Sequence, residues 1–340
     1  MPTRIATVLA VMALLAHTFA GQSVNGGGAT FPYPIYAQWF DAYQKLHPGV
    51  EINYAPIGSG EGIRRLVAGE LDFGASDGPM NEEQLAQAQA KLHTEVLHFP
   101  TVLGAAVPAY NIPSIREELK FTPEALSGIF LGTVKNWNDP AIARYNPQVR
   151  LPSNPIVVVH RQEGSGTTYC WTDYLSKISP EWQKRVGKGT NVPWPTGLAA
   201  KGNDGVSGLI KQTPYSIGYV ELTYAIQNDI PFGWVRNSGG AFVKANLASV
   251  TAAAASVARN IPDHFRVSIT DPPGAAAYPI ATFTWLLIPA KLHTADQQKV
   301  LVGFLRWALT DGQKMVESLG YAPIPREIAA REIKALALVK

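Results

Sequence analysis

Apolar and polar positions follow two rhythms along this chain, and the rhythms take turns. Tyr36, Trp39, Phe40, Tyr43 and Leu46 fall at helical spacing, and His47-Pro48-Gly49 stops the run. Val50 to Tyr54 then alternates as a half-buried strand does. Gly58-Ser59-Gly60-Glu61-Gly62 reads as a loop, with a short helix predicted around Ile63 to Ala68. Leu71 to Ala75 predicts a brief strand, Asn81 to Leu92 an exposed helix, and Phe99 to Ala109 an apolar strand. Thr122-Pro123-Glu124 combines a capping hydroxyl, a proline at the first helical position and a carboxylate near the positive end of the helix dipole. Further on, Ile156 to Val159 predicts a buried strand and Thr168 to Lys177 a helix. Ser216 to Val220 and the long apolar run Tyr278 to Ile288 predict two more strands. Thr294 and Gln297 have capping-box spacing for a helix to Leu309, and a last helix is expected over Arg326 to Leu338. Such alternation argues for an α/β layered fold with a largely parallel sheet. The stretches near residues 100 and 278 are apolar strands rather than polar tethers, which fits two lobes joined by strands that cross more than once.

Length and composition narrow this only a little. A chain of 340 residues suggests two domains, or one large one. Hydrophobic content of 46% with 16% charge is ordinary for a globular protein and excludes a disordered or coiled-coil class. The formal net charge is +3, with the charges scattered, so no nucleic-acid partner is expected. The start of the chain differs from the rest. Arg4, the apolar stretch Ile5 to Ala16, and Thr18-Phe19-Ala20 follow the plan of a secretory signal peptide over residues 1–20. That stretch is short for a bilayer span, and no other approaches the ~20 apolar residues a span needs. The lone cysteine, Cys170, lies among apolar residues in Thr168-Tyr169-Cys170-Trp171 and reads as a small core residue.

Candidate chemistry sits in four loops that each follow a strand or open a helix. They are Gly26 to Pro32, Gly58-Ser59-Gly60, Ala75-Ser76-Asp77, and Arg161 to Thr168 with Gly164-Ser165-Gly166-Thr167 at its centre. Glycine lets a backbone approach an anion closely, helix N-termini offer free N–H groups, and Ser and Thr add neutral donors. In an open α/β sheet such loops gather at the carboxyl ends of the strands. The fourth loop is no P-loop, because no lysine follows at the required spacing. Nor is Ser165 on a nucleophile elbow, since Glu163 and Thr167 stand where that turn needs glycines. His160 reads as a strand residue rather than a general base. A secreted phosphatase would need a nucleophile with a base, or metals. No His-x-x-x-His or Asp-x-Asp set appears, and no metal or other cofactor is expected.

Taken in order, Gly28-Ala29-Thr30-Phe31-Pro32, Ile57-Gly58-Ser59-Gly60, Asp72-Phe73-Gly74-Ala75-Ser76-Asp77, Phe99-Pro100-Thr101-Val102 and Gly164-Ser165-Gly166-Thr167 make the chain specific. Trp194-Pro195-Thr196-Gly197, Gly202-Asn203-Asp204-Gly205 and Ile217-Gly218-Tyr219-Val220 continue the set. With these motifs the chain resembles the substrate-binding subunit of the bacterial phosphate ABC transporter over roughly residues 25 to 320. The resemblance implies an α/β periplasmic-binding-protein-like fold of type II, two lobes with the ligand cleft between them. It implies that phosphate is held by Thr30, the Phe31 backbone N–H, Ser59, Asp77, Arg161, Ser165, the Gly166 backbone N–H and Thr167. It implies a monomer, in the periplasm, that hands phosphate to the permease subunits of an ABC transporter. The expected division is 21–100 plus 278–340 for one lobe and 101–277 for the other. Two departures stand out: Glu163 where the family more often has Asp, and a charge at Glu61 beside the second loop. Residues 229 to 277 match poorly.

Asp77 is the informative residue, because a carboxylate in an anion site suits only a ligand that carries a proton. Phosphate carries one at neutral pH and sulfate does not, so sulfate would leave a buried acceptor unpaired, at ~1–3 kcal/mol or more. A binder of another tetrahedral oxyanion is therefore a weaker alternative. The competing reading of Asp77 is structural, a cap on the helix from Asn81.

Overall fold

The computed structural model describes residues 22–113 and 115–340. The expected signal peptide, 1–20, lies outside the described residues. The strands are β1 (Gln22–Gly28), β2 (Val50–Ala55), β3 (Phe73–Ser76), β4 (Val96–Asn111), β5 (Lys120–Phe121), β6 (Val157–Arg161), β7 (Leu198–Ala200), β8 (Ser216–Glu221), β9 (Trp234–Arg236), β10 (Phe242–Val243) and β11 (Ala281–Pro289). Eight of them form one sheet in the order β2-β1-β3-β11-β4-β8-β6-β7, and β10-β9-β5 form a small second sheet. The outer ladders of the large sheet are parallel. Its three central ladders, all made by β4 and β11, are antiparallel. The sheet is thus mixed rather than largely parallel: periodicity marks where a strand lies but carries no information about its direction.

Strand β4 has 16 residues and is buried along nearly all of them, which lets it run about 50 Å from one lobe into the other. Its first part pairs with β11, from Val96 to Ala105; its last part pairs with β8, from Ala106 to Asn111. Two clusters of buried side chains make the core, one in the first lobe and a larger one that fills the other lobe and continues into the first through residues such as Leu66 and Val67. In the first, the helices Tyr33–Leu46 and Ala295–Ala308 pack together through Phe40 and Phe304, ring centroids 5.1 Å apart. Burying one such ring contributes roughly 2–3 kcal/mol. Leu46, expected on that face, is the last residue of its helix and stays 62% exposed. In the other lobe Trp171 stacks on Tyr219 at 5.3 Å and Trp194 on Tyr219 at 5.6 Å. Cys170 is buried in this core, and burial raises its thiol pKa, so it is the small core residue its neighbours suggested.

One boundary differs in a way that bears on function. Residues 59 to 62 are not a loop: the helix Ser59–Val67 starts at Ser59 itself. Glycines are poor helix formers, so propensity argued against a helix here. A tertiary contact overrides it. A Cβ on Gly60 would stand 2.9 Å from Gly164 Cα, so only glycine lets this first turn meet the loop of the other lobe.

Candidate functional site

The four loops meet where the lobes face each other. Thr30 follows β1, Asp77 follows β3, and Arg161 ends β6. Four helices begin at the same place. Phe31 stands two residues before the helix Tyr33–Leu46, Ser59 opens Ser59–Val67, Gly166 opens Gly166–Ile178, and Asn203 lies in the first turn of Gly202–Gln212. The free N–H groups of such first turns carry partial positive charge, so four together favour an anion. Thr30, Phe31, Ser59, Asp77, Arg161, Ser165 and Thr167 are all 6% exposed or less.

The hydrogen bonds set the polarity of the site. Ser59 Oγ accepts from the Gly166 N–H at 3.0 Å and the Asp77 N–H at 3.4 Å, which joins the two lobes. A hydroxyl oxygen offers two lone pairs and one proton, so Ser59 is left with a proton to give. Thr167 Oγ1 accepts from Arg161 Nη1 and from Asn203 Nδ2, each at 3.3 Å. Thr30 Oγ1 accepts from Asn203 Nδ2 at 2.9 Å and from its backbone N–H at 3.4 Å. Ser165 caps its helix by accepting from the Thr168 N–H at 3.1 Å. The Gly166 N–H, expected to face a ligand, here serves Ser59. Close by, the Gly60 N–H donates to the Gly164 carbonyl at 2.9 Å, a backbone bond between the two facing loops.

Asp77 opposes these donors. The helix from Asn81 is capped by Asn81 itself, which accepts from the Gln84 N–H, so the capping reading of Asp77 fails. Thr284 Oγ1 donates to Asp77 Oδ1 at 2.6 Å, and Thr282 Oγ1 to the Asp77 carbonyl at 3.0 Å. The other oxygen, Oδ2, faces Gly166; a Cβ on that glycine would be 2.5 Å from it. Burial pushes the Asp77 carboxyl up to about 7, although the Thr284 hydrogen bond and the Arg161 charge pull it down.

Glu163 clamps the arginine. Its Oε1 accepts from Arg161 Nε at 3.0 Å, from Arg161 Nη2, and from the Gly202 N–H at 3.0 Å. That occupies one edge of the guanidinium and leaves Nη1 directed at Thr167. Glu61 turns to Arg64 and Arg65, whose hydrogen bonds hold its carboxyl down at about 2. Its charge is therefore compensated on its own helix. His160 stacks on Trp194 at 4.8 Å and its Nδ1 lies 3.0 Å from the Arg161 carbonyl, so it is no base for Ser165. Among the described residues no group of three or more His, Cys, Asp or Glu could hold a metal ion.

Three residues at the site were not singled out from the sequence: Asn203, Thr282 and Thr284. The threonines carried a usable signal. They are two apart, hence on one face, in a strand whose nine residues are all buried and otherwise apolar. A pair of buried hydroxyls on one face needs a polar partner, and the partner is Asp77.

A family model described as the PBP superfamily domain matches residues 16–311. The phosphate-binding protein PstS of Pasteurella multocida is 42% identical over 323 residues, covering 94% of this chain and 92% of that protein. The chain belongs to the PBP superfamily, in the family of the PstS phosphate-binding proteins. Another PstS relative, from Methanocaldococcus jannaschii, is 39% identical over 332 residues, covering 92% of this chain and 85% of its own length. A solved periplasmic phosphate-binding protein of high affinity, PfluDING, has the same fold with a TM-score of 0.72. It is 21% identical and covers 92% of this chain and 93% of its own. In this PBP-superfamily member the two lobes meet at the four helix starts, and the crossing strands β4 and β11 run between them. The relatives are named as binding proteins, not as enzymes.

Proposed function

We propose that this chain binds inorganic phosphate between its lobes and delivers it to the permease subunits of an ABC transporter for import. One observation carries the reading: a buried set of hydroxyl, backbone and guanidinium donors lines the place where the lobes meet, beside an Asp77 carboxylate whose Oδ1 is bonded to Thr284 and whose Oδ2 faces Gly166. Thr30, Ser59 and Thr167 each have both lone pairs occupied and present a proton. The Phe31 N–H, Arg161 and the start of the helix at Gly166 add positive potential. Such a ring suits a tetrahedral oxyanion, and an acceptor within it suits one that still carries a proton. Ser165 contributes its cap and its place at the head of that helix. The same residues argue against catalysis, since Ser165 has no base and the histidine nearest in sequence is stacked away.

The proposed lobes are 21–100 plus 278–340, and 101–277; the change of partner along β4 between Ala105 and Ala106 supports a crossing in that region. Export to the periplasm by residues 1–20 and action as a monomer complete the proposal. Among the described residues no helix is long and apolar enough to cross a membrane. Isothermal titration of phosphate into protein stripped of ligand by unfolding and refolding tests the reading. Saturable binding of one phosphate per chain, with no phosphatase activity in the presence of divalent metals, is expected. No heat with phosphate, or turnover of a phosphate ester, would overturn it.

A further inference from the structure

Asn203 is fully buried between the lobes and touches both. Its Oδ1 accepts from the Glu221 N–H at 3.0 Å. That bond fixes which end of the carboxamide is which, because a backbone N–H needs an acceptor. Nδ2 must then face the opposite way, and there it meets Thr30 Oγ1 of one lobe at 2.9 Å and Thr167 Oγ1 of the other at 3.3 Å. The Asn203 backbone N–H supplies the second donor to Thr30, at 3.4 Å, and Arg161 Nη1 the second to Thr167, at 3.3 Å. With two donors on each oxygen, neither hydroxyl can accept from a ligand. Each has one remaining capacity, its proton. The first turn that carries Asn203 is itself held, since the Gly202 N–H donates to the same Glu163 oxygen that clamps Arg161.

Resting on the phosphate reading above, we propose that Asn203 is a positioning residue that determines specificity: its carboxamide forces the Thr30 and Thr167 hydroxyls to act only as donors toward the bound oxyanion. A hydroxyl left without this constraint turns its proton to whichever acceptor is nearest and offers the anion a lone pair instead. Because Asn203 holds one hydroxyl from each lobe, the polarity is set only when the lobes are together. The carboxamide thereby couples closure to the readiness of the site.

The test is a mutant cycle read by phosphate titration on stripped, refolded protein, with thermal unfolding as the check on folding. Asn203→Ala removes both side-chain donors and is expected to weaken phosphate binding about 10- to 100-fold, the range of a misdirected hydrogen bond to a charged group. Asn203→Asp keeps an acceptor for the Glu221 N–H and keeps the size, but turns the Thr30 and Thr167 protons toward itself; it is expected to lose more than Asn203→Ala. Both variants are repeated in a Thr30→Val, Thr167→Val background. There the Asn203 substitutions should change affinity less than about threefold, since a residue acting through two hydroxyls has nothing left to act on. Losses of the same size in both backgrounds, or wild-type affinity in Asn203→Asp, would overturn the proposal; plain charge repulsion by Asp, or a merely structural role, gives the first of these. If Asn203→Ala does not fold, the Asp variant in the two backgrounds decides. Wild-type protein that gives no heat with phosphate takes down the functional reading and this one with it, whereas a binding wild type with additive variants removes only the role of Asn203.

Discussion

Replacing Asp77 by asparagine separates the two jobs of the site, attraction of an anion and recognition of its proton. Asp77 Oδ1 is committed to the Thr284 hydroxyl, so in the proposed reading Oδ2 is the oxygen that takes the proton of phosphate. In Asp77→Asn the carbonyl end keeps the Thr284 bond and the amide end replaces Oδ2, which turns an acceptor into a donor. Phosphate loses a charge-assisted bond worth about 1.5–3 kcal/mol, or about 10- to 150-fold in affinity. Sulfate moves the other way. It has no proton to give, so it suits the wild-type site only when Asp77 is itself protonated. With the carboxyl at about 7, wild-type affinity for sulfate should fall about tenfold per pH unit above that point, because each unit costs 1.4 kcal/mol to hold the proton. The variant should bind sulfate with no such slope. At pH 8 the two effects together erode discrimination on the order of 10² to 10³-fold. Isothermal titration with both anions between pH 6 and 9 reads every quantity. An unchanged phosphate-to-sulfate ratio in Asp77→Asn, or wild-type sulfate binding that is flat with pH, would refute the reasoning.

Three further outcomes are expected. Thr284→Val removes a hydrogen bond that lowers the Asp77 carboxyl, so the pH at which wild-type sulfate binding starts to fall should move upward; a midpoint that stays put or drops shows that Thr284 does not tune Asp77. Gly164→Ala places a Cβ 3.0 Å from Gly60 Cα, and the overpacking of about 1–3 kcal/mol should weaken phosphate binding about 5- to 150-fold through a faster off-rate in stopped flow, with little change in thermal stability of the unliganded protein. Ligand-free protein should lose about 2–3 kcal/mol of stability to urea between pH 6.5 and 8.5. Burial raises Asp77 to about 7 and Glu221 to about 8, so in this window the folded chain holds protons that the unfolded chain has released, and stability drops as pH rises. Burial holds His98 down at about 3, which acts in the opposite sense, mostly below pH 6.5 where the unfolded imidazole charges, and offsets only a small part of the loss at the start of this window. Equal urea midpoints at the two pH values would show that these carboxyls are not buried in protonated form.

Much of this was legible in the sequence, for reasons that differ from residue to residue. The apolar runs that became β4 and β11 are buried on both faces, so they read as strands whatever surrounds them. The capping box of the helix Ala295–Ala308 is a local contract between Thr294 and Gln297, and it is kept. Direction and contact across the cleft were not legible. Whether β11 lies parallel or antiparallel depends on which strand it meets, and its neighbours, β3 and β4, lie far from it in sequence. The run from Ser59 to Gly62 has the composition of a loop and the conformation of a helix, because Gly60 answers to Gly164, roughly a hundred residues on, and Gly62 to Gly28 on the neighbouring strand.

The same distinction explains why Asp77 could be picked out while its setting could not. A carboxylate among glycines and hydroxyls is conspicuous by type alone. What makes it useful is supplied by β11, where a two-residue period places Thr282 and Thr284 on one face and aims both hydroxyls at one residue. One bond holds the Asp77 backbone and the other holds Oδ1, so the carboxylate cannot turn its free oxygen away from the cleft. Burial then disfavours its charge, while the hydroxyls of Thr30, Ser59 and Thr167 have their lone pairs occupied and offer protons only. In the proposed reading, selectivity for a protonated oxyanion therefore rests as much on a strand from the far end of the chain as on the loop that carries Asp77. Thr282→Val with Thr284→Val should accordingly blur the choice between phosphate and sulfate while leaving the donors of Thr30, Ser59, Arg161 and Thr167 in place, and a double variant that still rejects sulfate as wild type does at pH 8 would place the discrimination elsewhere.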